Sequence, residues 1–155
     1  MGWEIERKFL IRSNKWRQQA SEGIYYRQGY LANSDKCSIR VRIAGDKGSL
    51  NLKSATFTVT RTEFDYAIPL GDAEAILKYL SSRPHIEKTR YLVKHADHTW
   101  EIDVFEGDNK GLIVAEIELT DVDESFERPK WLGEEVSDDP RYYNVCLANH
   151  PYKDW

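Results

Sequence analysis

Residues 3–11 read Trp3-Glu4-Ile5-Glu6-Arg7-Lys8-Phe9-Leu10-Ile11, and the alternation along them sets the reading of the whole chain. Successive side chains of an extended strand point to opposite faces. A strand here puts Glu4, Glu6 and Lys8 on one face and Trp3, Ile5 and Phe9 on the other, with Arg7 the exception. The same period-2 pattern returns near 25–31, 37–43, 49–53, 57–68, 86–95, 99–105 and 112–119, which predicts further strands. Gly45-Asp46-Lys47-Gly48, Ala96-Asp97-His98 and Gly107-Asp108-Asn109-Lys110-Gly111 are short turn-rich links, so strands joined by them should be antiparallel.

Three segments carry helical spacing. Residues 72–81 align Ala75, Ile76, Tyr79 and Leu80, with Asp72 as a cap. A shorter one runs 123–127 and stops before Pro129. The last starts at Pro140 and carries Tyr143, Val145 and Leu147. Trp3, Trp16, Trp100 and Trp131 read as packing residues. With 155 residues and no linker or repeat, residues 1–155 are expected to form one α+β domain dominated by antiparallel sheet.

Composition narrows the class. Hydrophobic residues at 41% and charged residues at 31% describe a globular chain. A net charge of −4 argues against nucleic acid or an anionic membrane as partner, but permits a local basic pocket for a small anion. There is no apolar leader segment and no run long enough to span a membrane as a helix. The two cysteines, Cys37 and Cys146, fall outside any metal-ligand spacing, which suits a reduced cytoplasmic setting. The oligomeric state stays open, monomer or homodimer.

The polar faces are unusual. They carry eight acids (Glu4, Glu6, Glu63, Asp65, Glu101, Asp103, Glu116, Glu118) and seven bases (Lys8, Arg40, Arg42, Lys53, Arg61, Lys88, Arg90). A solvated sheet face is the ordinary cause of alternation. Such faces mix Thr, Ser and Gln with scattered charge, whereas here acid mostly sits beside acid and base beside base. Like charges so placed repel. The pattern makes sense if cations meet the carboxylates and a polyanion meets the Arg and Lys. A membrane barrel would also alternate, but the interspersed helical segments fit packing outside a soluble barrel better. A closed barrel of about eight strands can hold side chains and one small ligand.

Glu4-Ile5-Glu6-Arg7-Lys8 has the ExExK form of the CYTH superfamily, the triphosphate tunnel metalloenzymes. Further stretches resemble its small prokaryotic members in the same order: Gln28-Gly29-Tyr30-Leu31, Ile39-Arg40-Val41-Arg42, Leu52-Lys53-Ser54, Glu87-Lys88-Thr89-Arg90-Tyr91, Glu101-Ile102-Asp103-Val104-Phe105, Ala115-Glu116-Ile117-Glu118 and Gly133-Glu134-Glu135-Val136. The resemblance implies a closed eight-stranded antiparallel barrel, a tunnel with helices packed outside, that binds triphosphate with Mg²⁺ or Mn²⁺. It implies Glu4, Glu6, Glu116 and Glu118 as metal ligands, with Asp103 and Glu63 as direct or water-mediated ones. Lys8, Arg40, Arg42, Lys53, Lys88 and Arg90 would grip phosphate, while Arg61, Asp65 and Glu101 bind or orient. Small members often carry Lys after the Arg-Tyr of the C-terminal helix. This chain has Arg141-Tyr142-Tyr143, so that contact is lost or passed to Arg141.

The expected chemistry is metal-assisted hydrolysis of a phosphoanhydride, with a second ion or Glu63 orienting water. Lys88 and Tyr30 are candidates for proton handling, and Tyr30 reads equally well as a packed barrel aromatic. Inorganic triphosphate is the leading substrate, because no added domain is present to hold a base. Nucleoside or thiamine triphosphate, an adenylyl cyclase using the same metal site, and a non-catalytic polyphosphate or nucleotide sensor are the alternatives.

Overall fold

In the computed structural model, which describes residues 2–155, the opening alternation becomes β1 (Gly2–Ile11). It is followed by β2 (Ile24–Asn33), β3 (Cys37–Ala44), β4 (Lys47–Ser54), β5 (Thr60–Ile68), β6 (Ile86–His95), β7 (His98–Phe105), β8 (Ile113–Leu119) and β9 (Leu132–Glu135). Their order in the sheet is β5-β4-β3-β2-β6-β7-β8-β1-β9, with every pairing antiparallel. The N-terminal half of β1 pairs back to β5, Glu4 opposite Arg61, which closes an eight-stranded barrel. Its central part pairs with β8, Glu6 opposite Glu118 and Lys8 opposite Glu116. β9 lies outside the closure, on the far end of β1, and four residues were too few to announce it.

Several local expectations change. β5 starts at Thr60 because Phe57 turns aside to pack edge-on against Tyr143, ring centroids 5.2 Å apart. Residues 123–127 form no helix. There Glu124 accepts from the Thr120 amide and hydroxyl, Asp121 accepts from the Asp123 amide, and local side-chain bonds replace helical ones. The final helical region splits into a 3₁₀ turn, Pro140–Tyr142, and α2, Asn144–Asn149.

The first helix, α1 (Leu70–Tyr79), follows Pro69, and Asp72 sits in its first turn without capping it. It buries Ala73 and Leu77 against Val41 and Ile43, while Tyr79 and Leu80 stay exposed. The stripe is shifted because β4 offers Gly48 beneath it. A Cβ at Gly48 would stand 2.5 Å from the Ala73 Cβ. Gly48→Leu is therefore expected to destabilise the fold by about 1–3 kcal/mol through overpacking, read as a lower urea midpoint.

Outside the β6–β7–β8–β1 wall, Phe9, Trp100, Ile102 and Ile117 pack beneath Trp16, Trp131 and Leu132. A 3₁₀ segment, β9 and loop residues therefore supply much of the cover expected from helices. Trp3, expected in the packing, is 74% exposed. Arg7, which broke the alternation, donates from Nε to Glu135 Oε2 at 2.8 Å, with its guanidinium 5.0 Å from the Phe126 ring. No helix among the described residues is long and apolar enough to cross a membrane.

Candidate active site

The inward side chains of each strand change character along the barrel. Glu4, Glu6 and Lys8 lead to Leu10 on β1; Glu101 and Asp103 lead to Phe105 on β7; Glu118 and Glu116 lead back to Val114 on β8. Arg90 and Lys88 likewise lead back to Ile86 on β6. Leu10, Phe105, Val114 and Ile86 form one cluster with Tyr143, Val145 and Leu147 at the start of the C-terminal helix. One end of the barrel is thus stoppered with apolar side chains. The other is marked by the exposed carboxylates Asp65 and Glu118. Between them lies a cavity of about 240 Å³.

The structure brings nearly all the predicted residues to this cavity. Glu4, Glu6, Glu63, Glu116 and Glu118 line it, as do Lys8, Arg40, Arg42, Lys53, Arg61 and Arg90. Acids and bases are partly matched across strands, which segregation within each strand concealed. Lys8 Nζ donates to Glu116 Oε1 at 2.8 Å and to Glu6 Oε1 at 3.1 Å. Lys53 Nζ donates to Glu4 Oε1 at 3.2 Å and lies 3.7 Å from Glu63. Even so, Glu6, Glu101 and Glu116 bring carboxylate oxygens within 4.8 Å of one another. Glu4 Oε2 is buried with no partner.

Burial and neighbours set the protonation states. Burial, then the charge of Glu116, pushes the Glu6 carboxyl up to about 7. Burial acts on Glu116 in the same sense, but Lys8, Arg90 and Lys88 outweigh it and hold Glu116 well below the carboxylate range. Burial, then repulsion from Arg40, pulls Lys53 down to about 7. Lys88 falls to about 8, as expected in direction. The leading cause is burial, against the attraction of Asp103, more than crowding by cations.

Three predicted residues stand off the cavity lining: Asp103, Arg141 and Lys88, which is fully buried behind the wall with its Nζ on Asp103. Asp103 is fully buried, and both its oxygens are taken: Oδ2 accepts from Lys88 Nζ at 2.7 Å and Oδ1 from Arg90 Nε at 2.7 Å. Arg141 lies outside the tunnel, forked onto Asp139 and stacked 4.6 Å from Trp155, so the missing contact is not passed to it. Tyr30 edges the cavity but belongs to the apolar cluster at the stoppered end, which supports the packing role. Residues missed in the sequence include Asn51 and Gln28, hydrogen-bonded to Arg40 and Arg42, and Asn144, whose Oδ1 lies 3.5 Å from Lys88 Nζ. Strand parity marks Gln28 and Asn51 as inward-facing, a signal that attention to charge passed over.

A profile of the CYTH domain matches residues 3–143. The chain belongs to the CYTH family. It is 45% identical over 155 residues to an inorganic triphosphatase of Acetivibrio thermocellus, covering 100% of this chain and 99% of that relative. It is 36% identical over 149 residues to an inorganic triphosphatase of Nitrosomonas europaea, covering 94% and 96%. A solved inorganic triphosphatase structure superposes with a TM-score of 0.68 at 36% identity, covering 94% of this chain and 97% of that one. In this CYTH chain Tyr143 stands where small members often have Lys. Its ring lies 4.9 Å from Lys8 Nζ and 5.2 Å from the Arg61 guanidinium, and its hydroxyl donates to the Ser137 carbonyl at 2.9 Å. Tyr143 is thus part of the stopper.

Proposed function

We infer that the chain hydrolyses inorganic triphosphate to pyrophosphate and phosphate with the help of a divalent cation. The observation that carries this is the blind tunnel itself. Carboxylates, among them Glu4 with an unpartnered oxygen, face arginines and lysines across a cavity of about 240 Å³. That is smaller than the roughly 300–1,000 Å³ of sites that enclose drug-sized ligands, and it suits a compact anion better than a nucleotide with its base enclosed.

The donor set fits a hard cation. All the donors are carboxylate oxygens, Glu4 Oε2 is unpartnered, and Glu6, Glu101 and Glu116 converge. Glu4, Glu6, Glu116 and Glu118 would hold Mg²⁺ or Mn²⁺, with Glu101 joining them. A divalent cation held there would supply charge neutralisation of the phosphate oxygens and Lewis-acid polarisation. Asp103 serves instead through Lys88 and Arg90, whose nitrogens it holds. Arg40, Arg42, Arg61 and Lys53 bind and orient the phosphate chain, and the arginine charges stabilise what builds on it during reaction. Lys88 Nζ, with its proton affinity lowered by burial, carries a proton toward the leaving phosphate. Glu63, at the tunnel wall beside Lys53, orients the attacking water. The apolar stopper keeps other water from the far end.

The test is a panel of tripolyphosphate, ATP and thiamine triphosphate with Mg²⁺ or Mn²⁺, scored for phosphate, pyrophosphate and cyclic AMP. Tripolyphosphate should be turned over at least about tenfold faster than the others, one decade being about 1.4 kcal/mol of barrier. EDTA should abolish turnover and added metal should restore it. Cyclic AMP from ATP, with tripolyphosphate untouched, would overturn the assignment; tripolyphosphate binding without turnover would point to a sensor.

A further inference from the structure

Two arginines of the phosphate wall are oriented by neutral amides. Arg42 Nε donates to Gln28 Oε1 at 2.8 Å, and Arg40 Nε donates to Asn51 Oδ1 at 2.8 Å. Each amide is the cross-strand partner of its arginine: Gln28 on β2 opposite Arg42, Asn51 on β4 opposite Arg40. Gln28 is 0% exposed and Asn51 is 1% exposed. Asn51 is itself fixed, its Nδ2 donating to Asp65 Oδ1 at 2.7 Å, which turns its oxygen toward Arg40.

Arg90 shows the contrast. Its Nε and one terminal nitrogen go to Asp103, and the other goes to Glu101, so its charge and its donors are largely spent within the protein. Among the described residues, Arg40 and Arg42 have no carboxylate within ion-pair distance, and no protein group accepts from their terminal nitrogens. The tunnel holds many carboxylates, yet none stands at these two positions. Burial, then the charges of Arg40 and Arg90, pulls the Arg42 guanidinium down to about 9, as expected of a cation left uncompensated. Gln28 Nε2 is buried without a partner, so the residue is poorly explained by stability alone.

An amide oxygen can hold a guanidinium by Nε, but it brings no charge. A carboxylate in the same place would orient the group and neutralise it together. We infer that Gln28 and Asn51 are positioning residues that aim Arg42 and Arg40 into the tunnel while leaving both charges for the phosphate chain. This rests on the tunnel being the triphosphate site.

The test uses Gln28→Glu, which keeps the shape and the acceptor but adds the charge. Tripolyphosphate is titrated calorimetrically into the full chain in EDTA, so that binding is read without turnover. Gln28→Glu should bind at least tenfold more weakly than wild type, while its melting midpoint in EDTA is unchanged or higher, because a buried ion pair has formed. With Mg²⁺, its KM should rise more than its kcat falls. Gln28→Met, which keeps the charge of Arg42 free but removes the acceptor, should bind a few-fold more weakly than wild type. Wild-type affinity in Gln28→Glu overturns the inference. So does weak binding by Gln28→Glu with a lowered melting midpoint, if Gln28→Met binds like wild type, since misfolding then explains the loss. Failure of the wild-type chain to bind tripolyphosphate would instead remove the assignment of the tunnel, and the inference with it.

Discussion

Glu6→Gln is expected to abolish metal-dependent hydrolysis while making the metal-free protein more stable at pH 8. Glu6 converges with Glu101 and Glu116, so glutamine there takes one carboxylate from the proposed cation site. An effect of several kcal/mol on the charged transition state corresponds to a loss of about 10²–10⁴ in rate. Stability runs the other way. Glu6 is carried from its ordinary 4.5 up to about 7 by burial and by Glu116. A carboxyl whose pKa rises on folding binds its proton more tightly folded than unfolded. Its contribution favours the fold below about pH 4.5 and is withdrawn as pH climbs to about 7. Above that, wild type carries a penalty of about 3 kcal/mol that an uncharged glutamine avoids. Melting in EDTA should show the variant a few degrees above wild type at pH 8 and close to it at pH 5. A variant that loses activity and also melts lower at pH 8 would show that Glu6 serves the fold before it serves a metal.

The opposition of those two effects explains why the tunnel was readable from sequence. Carboxylates beside carboxylates are a poor way to stabilise a strand, and that cost is the ground on which Glu4, Glu6, Glu116 and Glu118 are proposed as metal ligands. Strand parity carried most of the rest: inward positions on β1, β3, β7 and β8 were identified before any pairing was known. What parity cannot supply is the partner across the barrel. Asp103 reads as a ligand until β6 and β7 are set in register with Arg90 opposite it. Arg7 needs a counter-charge, but Glu135 lies 128 residues away. The 72–81 segment has two apolar stripes, and Gly48 on another element decides which one is buried. Arg141 and Tyr143 are separated by one residue, yet one faces Trp155 and the other the tunnel, because the 3₁₀ turn ends at Tyr142 and Tyr143 leads into α2. The apolar stopper was legible, since Leu10, Ile86, Phe105 and Val114 continue the charged faces in step.

Asp103→Ala should be the most damaging single change to the fold. Lys88 and Asp103 are both 0% exposed, and Asp103 also accepts two hydrogen bonds from Arg90. Burial works against the charge on Asp103, yet Arg90 and Lys88 hold its carboxyl below the ordinary range. Removing it leaves two cations buried beside each other, with Arg90 falling back on Glu101 and Lys88 on the Asn144 side-chain Oδ1. Breaking a buried pair from one side costs about 3–5 kcal/mol. For a chain of this size, that lowers the melting midpoint by about 6–20 °C. The double variant Lys88→Met, Asp103→Leu separates the fold from the chemistry. Replacing both charges with apolar groups of similar size should restore part of the stability, since Lys88 is no longer left unpaired, while Arg90 keeps Glu101 alone. It cannot restore the aim of Arg90 or the proton carrier proposed at Lys88, so hydrolysis should stay at least about 10²-fold down, the lower range for loss of a general acid. Recovery of activity along with the melting midpoint would show that Lys88 and Asp103 only fill the barrel. Recovery of stability without activity would make this pair the junction where the apolar stopper ends and the reacting tunnel begins.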